Sequence, residues 1–347
     1  MIEVKNLVKR YGSHLAVDHL SFVVEKGQIY GFLGPNGAGK STTMNIMTGY
    51  LGATEGEVLV NGHDMLKEPE EAKKLIGYLP EIPPLYTDMT VREYLAFAAE
   101  LKKVKKAEIP VQVDQVMEMV KLEDVQHRLI RNLSKGYKQR VGLAQAVLGF
   151  PEIIILDEPT VGLDPKQIIE IRQLIRELAK KHTVILSSHI LAEVREVCDH
   201  VMIISKGKLV ASDTPDNLER LIEGEDTLEL EVKGSRSQVE EILKEIQGVK
   251  ELRFYEPEDG VTGVQIQIAD HREIREELFY ALAEKKCPLY RMQMSKATLE
   301  DVFLELTQNE NEDEAAARSA EAGIGENPIL EGIDPEGEED AGYERDL

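Results

Sequence analysis

Residues 34–41, GPNGAGKS, combine closely spaced glycines with a lysine and a hydroxyl side chain. They match the pattern G-x-x-x-x-G-K-[ST], in which glycines let the backbone curl until successive amides point at phosphate oxygens. In this pattern Lys40 reaches the outer phosphates of a nucleotide, and the Ser41 hydroxyl binds Mg²⁺. The loop lies between a predicted strand, GQIYGFLG, and a predicted helix, KSTTMNIMTGYL, so bound phosphates would meet a helix N-terminus. A glycine-rich turn alone does not explain the Lys-Ser pair, and we predict a phosphate-binding loop.

Two acidic residues end a predicted buried strand further along the chain. The run IIILDEPT leads from four apolar residues directly into Asp157 and Glu158. The first carboxylate can join the coordination shell of Mg²⁺, and the second can polarise an attacking water as a general base. A strand can also end in two acids for the sake of a turn, but a chain with a phosphate-binding loop favours the catalytic interpretation. Together the two motifs predict an enzyme that hydrolyses a nucleoside triphosphate.

The elements that must position these residues have the pattern of an α/β fold. Residues 1–220 alternate between predicted strands and predicted helices. Continuous β-branched runs such as PEIIILDEP and HTVILSSH, separated by helices, indicate a parallel sheet that is covered on both faces. Residues 88–150 are almost wholly helical in pattern, which predicts a helical subdomain inserted on that sheet.

The pattern changes after residue 220. Residues 226–307 read as strand, helix, strand, strand, helix and strand, which is the split-βαβ order of ferredoxin-like domains. The first of these helices is predicted to begin at Ser237, with Glu240 completing a capping box. A short helix, TLEDVFLELT, is predicted to close this small α+β domain. Residues 309–347 lack hydrophobic periodicity and predict a disordered acidic tail.

Charge and composition exclude several classes of partner. The net charge is −23, and residues 309–347 account for −12 of it, with 14 acidic and two basic residues. The remaining −11 belongs to residues 1–308, so neither part offers the Lys/Arg clusters that nucleic acid or an anionic lipid surface requires. We therefore expect no nucleic-acid partner and no direct lipid binding.

The sequence also predicts a cytosolic chain. No apolar run approaches the roughly 20 residues that a membrane-spanning helix needs, and the segment MIEVKNLVKRYG has no apolar core of a signal peptide. Cys198 and Cys287 lie far apart without metal-ligand spacing, which suits a reducing compartment. Any attachment to a membrane is expected to pass through a protein partner.

Residues 132–165, NLSKGYKQRVGLAQAVLGFPEIIILDEPTVGLDP, extend the motif set beyond a generic nucleotide hydrolase. The Asn-Lys-x-Asp motif with which GTPases read guanine does not occur in the sequence. Over about residues 2–215 the sequence instead resembles the nucleotide-binding subunit of an ABC transporter, with several motifs in the order of that family. The resemblance implies a P-loop NTPase cassette with a helical subdomain, and an ATPase that uses ATP and Mg²⁺.

The resemblance also implies roles for individual residues. Tyr11 in KRYG is similar to the aromatic residue that stacks on adenine, and His189 in SSHIL to the switch histidine. The signature loop LSKGY departs from the family's LSGGQ at Lys135 and Tyr137. The implied nucleotide-binding residues are Tyr11, Gly34, Pro35, Asn36, Gly37, Ala38, Gly39, Lys40, Ser41, Thr42, Ser134 and Gly136 of the signature loop, and Asp164 of GLDP.

Glu81, in the proline-rich segment IGYLPEIPPLY, stands where most of the family has Gln. A carboxylate still offers an oxygen to Mg²⁺, and the resemblance is to an exporter-like branch that includes gliding-motility-type subunits. The implied catalytic residues are therefore Glu158, His189 and Glu81. The implied metal ligands are Ser41, Glu81 and Asp157.

The resemblance implies how the chain assembles. Family members pair head-to-tail with two ATP molecules between them, and this chain carries both halves of a site, so a homodimer is expected. The expected partner is a separately encoded transmembrane permease, which determines the substrate and holds the chain at the cytoplasmic face of the cell membrane. The chain would then power export.

Two other interpretations of the chain remain open at this point. It could be a soluble ABC ATPase acting on ribosomes or DNA, although such proteins usually carry two fused cassettes or a long coiled-coil insertion. It could also be a regulatory binding module, although residues 228–306 contain no constellation of ligand-binding residues. A single phosphate-binding loop and a short helical insertion favour the transporter subunit.

The composition of the acidic tail generates a first prediction. Deletion of residues 309–347 is expected to leave the ATPase rate and the melting temperature nearly unchanged, because the segment has too few apolar residues to join a core. Turnover and thermal unfolding of the truncated and full chains check this. A melting temperature several degrees lower in the truncated chain would contradict it.

Overall fold

A computed structural model describes residues 1–222, 226–258, 260–269 and 272–295, together with Phe303. The strands in this part of the chain are β1 (Ile2–Tyr11), β2 (His14–Val24), β3 (Ile29–Leu33), β4 (Glu55–Val60), β5 (His63–Asp64), β6 (Ile76–Leu79), β7 (Ile153–Leu156), β8 (Thr183–Ser188), β9 (His200–Ser205), β10 (Lys208–Asp213), β11 (Asp226–Lys233), β12 (Val249–Glu258), β13 (Val261–Ile268) and β14 (Leu289–Ser295). The α-helices are α1 (Lys40–Met47), α2 (Pro69–Lys74), α3 (Val91–Leu101), α4 (Ile109–Met119), α5 (Lys135–Val147), α6 (Pro165–Ala179), α7 (Leu191–Val197), α8 (Pro215–Ile222), α9 (Arg236–Glu245) and α10 (Arg275–Glu284).

The central sheet has the strand order β10-β9-β3-β8-β7-β6. Neighbouring strands from β9 to β6 are parallel, and β10 returns antiparallel to β9 as an edge strand. Every residue of β3, β7 and β8 is buried, as expected for parallel strands in a sheet that is covered on both faces. The predicted parallel α/β sheet is confirmed.

A second sheet, which the sequence did not predict, lies at the N-terminal end of the chain. Its strand order is β2-β1-β4-β5, and all of its pairings are antiparallel. Its buried side chains, among them Ile2, Val4 and Val60, share one hydrophobic core with Phe32 of β3 and Met44 of α1. The parallel sheet is therefore covered in part by a second sheet rather than only by helices.

The helical subdomain follows β6. β6 ends at Leu79, directly before Pro80, and α3 begins only at Val91, where Thr90 and Glu93 form a capping box. The proline-rich segment therefore separates the end of this strand from the start of the helix. Helices α3, α4 and α5 fill most of residues 88–150, and two 3₁₀ turns, Glu123–Val125 and Ile130–Asn132, precede α5.

Elements β11 to β14, with α9 and α10, form an antiparallel sheet with the order β12-β13-β11-β14 and a core of their own. The elements follow one another in the predicted order, while the ferredoxin-like assignment and its boundaries stay predictions. The predicted helix TLEDVFLELT, apart from Phe303, and the predicted tail lie outside the described residues.

The predicted cap of α9 is wrong by two residues. Ser235, not Ser237, caps this helix, and its hydroxyl accepts a hydrogen bond from the Gln238 amide at 3.4 Å. β11 ends at Lys233, and the carbonyl of the following Gly234 accepts a hydrogen bond from the Thr262 hydroxyl at 2.8 Å. Ser235 is the next residue, and serine is a favoured helix cap.

None of the helices formed by the described residues combines the length and apolar composition that a membrane crossing requires.

The contact between β6 and α5 generates a second prediction. A Cβ atom at Gly77 would lie 2.1 Å from the backbone oxygen of Ala146, which is too close for any side chain. Gly77→Ala is therefore expected to lower the free energy of unfolding by about 1–3 kcal/mol, measured by urea denaturation. Gly52→Ala is the matched control, because a Cβ atom there meets nothing within 4 Å. Equal stability of the two variants would contradict close packing at Gly77.

Candidate functional site

Two positions of the loop between β3 and α1, Gly34 and Gly39, have room only for glycine. A Cβ atom at Gly34 would lie 2.3 Å from the backbone oxygen of Ile204. At Gly39, where φ is +101°, a Cβ atom would lie 2.5 Å from the backbone oxygen of Ala16. The loop is thus pressed against neighbouring backbone on both sides, which fixes the curl that turns its amides toward a phosphate.

Lys40 begins α1 with its side chain inside this loop. It is 6% exposed, and its ammonium donates hydrogen bonds to the carbonyl oxygens of Gly34 at 2.7 Å and Pro35 at 3.1 Å. Burial lowers the pKa of Lys40, and the nearby carboxylates of Glu158 and Asp157 oppose this shift. The loop therefore holds a poorly solvated positive charge at its centre, which suits a phosphate anion.

Asp157 lies beside the start of the loop helix. One of its carboxylate oxygens, Oδ1, accepts a hydrogen bond from the Ser41 hydroxyl at 3.3 Å and another from the Ser187 hydroxyl at 2.6 Å. Carboxylate and hydroxyl oxygens are the hard ligands that Mg²⁺ prefers, usually completed by substrate phosphates and water. The described residues contain no group of three or more His, Cys, Asp or Glu side chains that could hold a metal. The Ser41–Asp157 pair thus fits a magnesium ion that shares its shell with phosphate.

Glu158 has a strained backbone and a fixed side chain. Its φ is +47°, a left-handed conformation that costs a non-glycine residue about 1–3 kcal/mol and persists only where the surroundings impose it. The Ser187 hydroxyl accepts a hydrogen bond from the Glu158 amide at 2.8 Å. The Glu158 carboxylate oxygen Oε2 lies 3.0 Å from Nδ1 of His189. An almost buried carboxylate is therefore held in contact with a histidine whose side chain is 45% exposed.

These groups border one cavity of about 380 Å³. It is lined by Tyr11, His14, Ala16, Asn36, Gly37, Gly39, Lys40, Ser41, Thr42, Glu81, Glu158, Val161 and His189. The fold thus brings together most of the predicted site residues from five separate parts of the chain. The cavity has a lysine at one wall and carboxylates at another, which is an arrangement suited to a nucleotide phosphate and a cation.

Two residues at the rim of the cavity, Tyr11 and Glu81, are more exposed to solvent than the residues at its centre. Tyr11 is 49% exposed, and the ammonium of Lys9 lies 5.3 Å from the centroid of its ring. In the pairing of β1 with β2, Tyr11 stands opposite His14. Glu81 is exposed on the segment that follows β6. Both predicted residues therefore reach the cavity with side chains open to solvent.

The predicted signature-loop residues and Asp164 do not line this cavity. Ser134 caps α5 and Asp164 caps α6, so both stand at helix N-termini. A Cβ atom at Gly136 would lie 2.6 Å from the side chain of Gln167 in α6, so the two helix starts touch. These residues form a second surface, apart from the cavity of the same chain.

Three residues near the cavity were missed at the level of sequence. Ser187 holds both Asp157 and Glu158, Glu193 joins Thr160 to Ser188, and His14 lines the cavity. Ser187 could have been found from the pairing of parallel strands, since Leu156 pairs with Leu186 and their successors are adjacent. For Glu193 and His14 the sequence carries no comparable signal.

Known proteins resemble this chain in sequence. The sequence model of the ABC transporter family matches residues 17–161. The bacitracin transport ATP-binding protein BcrA of Bacillus licheniformis is 37% identical over 309 residues, covering 88% of this chain and 97% of BcrA. The linearmycin resistance ATP-binding protein LnrL of Bacillus subtilis is 32% identical over 308 residues, covering 88% of this chain and 98% of LnrL.

Solved structures resemble it as well. An ATP-binding subunit of an ABC transporter superposes with a TM-score of 0.58 at 33% identity, covering 64% of this chain and 92% of that one. A dimeric ATP-binding cassette in a post-hydrolysis state with ADP and Pi superposes with a TM-score of 0.56 at 26% identity, covering 62% and 98%.

The fold and the cavity are those of a P-loop nucleotide hydrolase. The chain belongs to the ABC transporter family, as an ATP-binding subunit. It is an ATPase of the ABC cassette class, and the predicted cassette fold is confirmed. The relatives that cover most of the chain are transport and resistance proteins, so action on ribosomes or DNA is not favoured.

Proposed function

We propose that this chain binds ATP with Mg²⁺ in the cavity between the phosphate-binding loop and Glu158. We propose further that the hydrolysis of this ATP powers export through a transmembrane permease. The observation that carries the proposal is the juxtaposition of Lys40, the Ser41–Asp157 pair and the Glu158–His189 pair around one cavity. Bound Mg²⁺ would neutralise negative charge on the phosphate oxygens. Ser41, Asp157 and Glu81 are the proposed residues that hold it.

The other site residues have proposed roles either in nucleotide binding or in hydrolysis. The loop of residues 34–42 binds the phosphates through its free backbone amides and the Lys40 ammonium, and Tyr11 stacks on the adenine. Pro35 has no amide hydrogen, and the Ala38 amide donates to the Pro35 carbonyl at 3.1 Å, so the other loop amides are the donors. Glu158 accepts a proton from the attacking water, because its carboxylate is nearly buried and fixed beside the cavity. His189 holds its Nδ1 against Glu158 and, from its partly exposed position, contacts the water and the outermost phosphate.

We infer further that two copies of the chain pair head-to-tail. Ser134, Gly136 and Asp164 stand at helix N-termini, where backbone amides favour an anion, yet they do not line the chain's own cavity. In the proposed homodimer they cover the nucleotide of the partner subunit. The dimeric cassette with ADP and Pi among the similar structures supports the pairing of two copies.

The proposed location is the cytoplasmic face of the cell membrane, with the permease as a separately encoded partner. The names of two relatives, one for bacitracin transport and one for linearmycin resistance, support an export role. The proposed division of the chain is a cassette over residues 1–220, a ferredoxin-like domain over 226–307 and a tail over 309–347.

The contact between Glu158 and His189 generates a third prediction. Glu158→Gln is expected to retain ATP binding while the hydrolysis rate falls by about 10²–10⁴-fold, because the amide cannot accept the proton of the attacking water. The measurements are steady-state turnover and nucleotide affinity, and gel filtration should show a larger share of ATP-bound dimer. Glu177→Gln is the matched control, since this surface acid forms a local ion pair with Lys180 and does not line the cavity. Near-normal turnover in Glu158→Gln would remove Glu158 as the base.

The place of Glu81 at the cavity generates a fourth prediction. Glu81→Gln keeps a carbonyl oxygen, so permease-stimulated ATPase activity should stay within roughly tenfold, which is about 1.4 kcal/mol of barrier. Glu81→Ala removes the oxygen and should fall well below that. Both variants are measured with the permease present. If the alanine variant is as active as the wild type, Glu81 is only a solvated turn residue.

A further inference from the structure

Glu193 is a buried carboxylate that the proposed chemistry does not use. It lies in the first turn of α7 and is 5% exposed. Its oxygen Oε2 accepts a hydrogen bond from the Thr160 hydroxyl at 2.5 Å and another from the Ser188 hydroxyl at 3.3 Å. A buried charge is costly unless hydrogen bonds and a counter-charge compensate it, so its presence needs an explanation.

The two hydroxyls belong to the two segments that carry the hydrolytic pair. Thr160 lies two residues after Glu158, and Ser188 directly precedes His189. The Ser188 hydroxyl also accepts a hydrogen bond from the Ile190 amide at 3.0 Å, so both sides of His189 are connected to it. One carboxylate oxygen therefore joins the backbone segments whose side chains meet in the Glu158–His189 contact.

Arg172 of α6 supplies the counter-charge. Its guanidinium lies 3.4 Å from Glu193 Oε1 and also contacts Glu196, and its side chain is 16% exposed. The helix that carries Arg172 begins directly after Asp164, the residue proposed to face the partner's nucleotide. The arginine thus places the opposite charge beside the buried Glu193 carboxylate, which is the compensation that a buried acid requires.

We propose that Glu193 is a positioning residue for ATP hydrolysis, and that its carboxylate fixes the distance between Glu158 and His189 by holding Thr160 and Ser188 together. This inference rests on the proposed roles of Glu158 and His189. Glu193 itself does not line the cavity. Its removal should therefore slow the chemical step without weakening the binding of ATP, because a misplaced catalytic group lowers kcat while the phosphate-binding loop stays intact.

The first test replaces the carboxylate in the full-length chain. Glu193→Met keeps the bulk of the side chain and removes both acceptors, and its kcat is expected to fall about 10- to 100-fold. The KM for ATP should change by less than about twofold. Glu193→Gln should stay within about threefold of the wild-type kcat, because its amide oxygen still accepts both hydroxyl protons. Wild-type kcat in the methionine variant, or equal loss in both variants, would overturn the proposal.

The second test asks whether Glu193 acts through Thr160. Thr160→Val keeps the shape of the side chain and removes the hydroxyl, and it should lower kcat with an unchanged KM. If the two residues act as one unit, the double variant with Glu193→Met is no slower than Glu193→Met alone. Fully additive losses would overturn the proposal. If Glu193→Met fails to fold, the nearly isosteric single variant Thr160→Val still tests the proposal, and a wild-type kcat in it would overturn the proposal.

Glu196→Gln is the matched control, since it removes an ion pair to the same Arg172 from the same helix without touching either loop. Its kcat should equal that of the wild type. A purely structural role for Glu193 predicts a lower melting temperature with unchanged kcat, which overturns the proposal. If Glu158→Gln remains active, the proposed function fails; if Glu158→Gln is inactive and Glu193→Met is fully active, only this inference fails.

Discussion

The parallel pairing of β3, β8 and β7 is the constraint on which the rest of the site depends. β3 pairs with β8 so that Leu33 lies beside Ser188, and β8 pairs with β7 so that Leu186 lies beside Leu156. Parallel strands end at the same edge of a sheet, so the residues that follow them meet there. The phosphate-binding loop, the acids Asp157 and Glu158, and His189 therefore lie close together, although they are far apart in the sequence.

This edge concentrates buried charge, and the hydrogen bonds around it are what make the burial tolerable. The ammonium of Lys40 is bound to loop carbonyls, while Asp157 is bound to two hydroxyls. Glu158 is held in its strained conformation by the Ser187 hydroxyl, which also binds Asp157. One serine thus connects the carboxylate proposed to bind the metal with the carboxylate proposed to activate the water. A fixed polar environment of this kind needs little rearrangement when the reaction occurs, which is the main source of electrostatic catalysis.

Two parts of the proposed machinery are kept apart within one chain. The cavity is lined by Lys40, Glu158 and His189 among others. Ser134 and Asp164 cap helices that contact each other elsewhere. Arg172 lies on the helix that Asp164 begins, and its ion pair with Glu193 links that helix to the cavity. In the proposed homodimer, the Arg172–Glu193 ion pair would connect the helix that faces the second copy with the segments that carry Glu158 and His189.

The sequence by itself determined the class of fold and the chemistry of the site, because both reside in local patterns. Glycine spacing around Lys40, and apolar runs that end in Asp157 or at His189, are visible along the chain. Tertiary structure alone decided the antiparallel sheet that packs on β3, the cap of α9 at Ser235, and the roles of Ser187 and Glu193. The physical reason is that these features depend on strand register, and on hydrogen bonds between residues about 30 positions apart such as Thr160 and Glu193. Single serines and glutamates have no periodic or motif signal, so only the folded chain shows what their side chains bind.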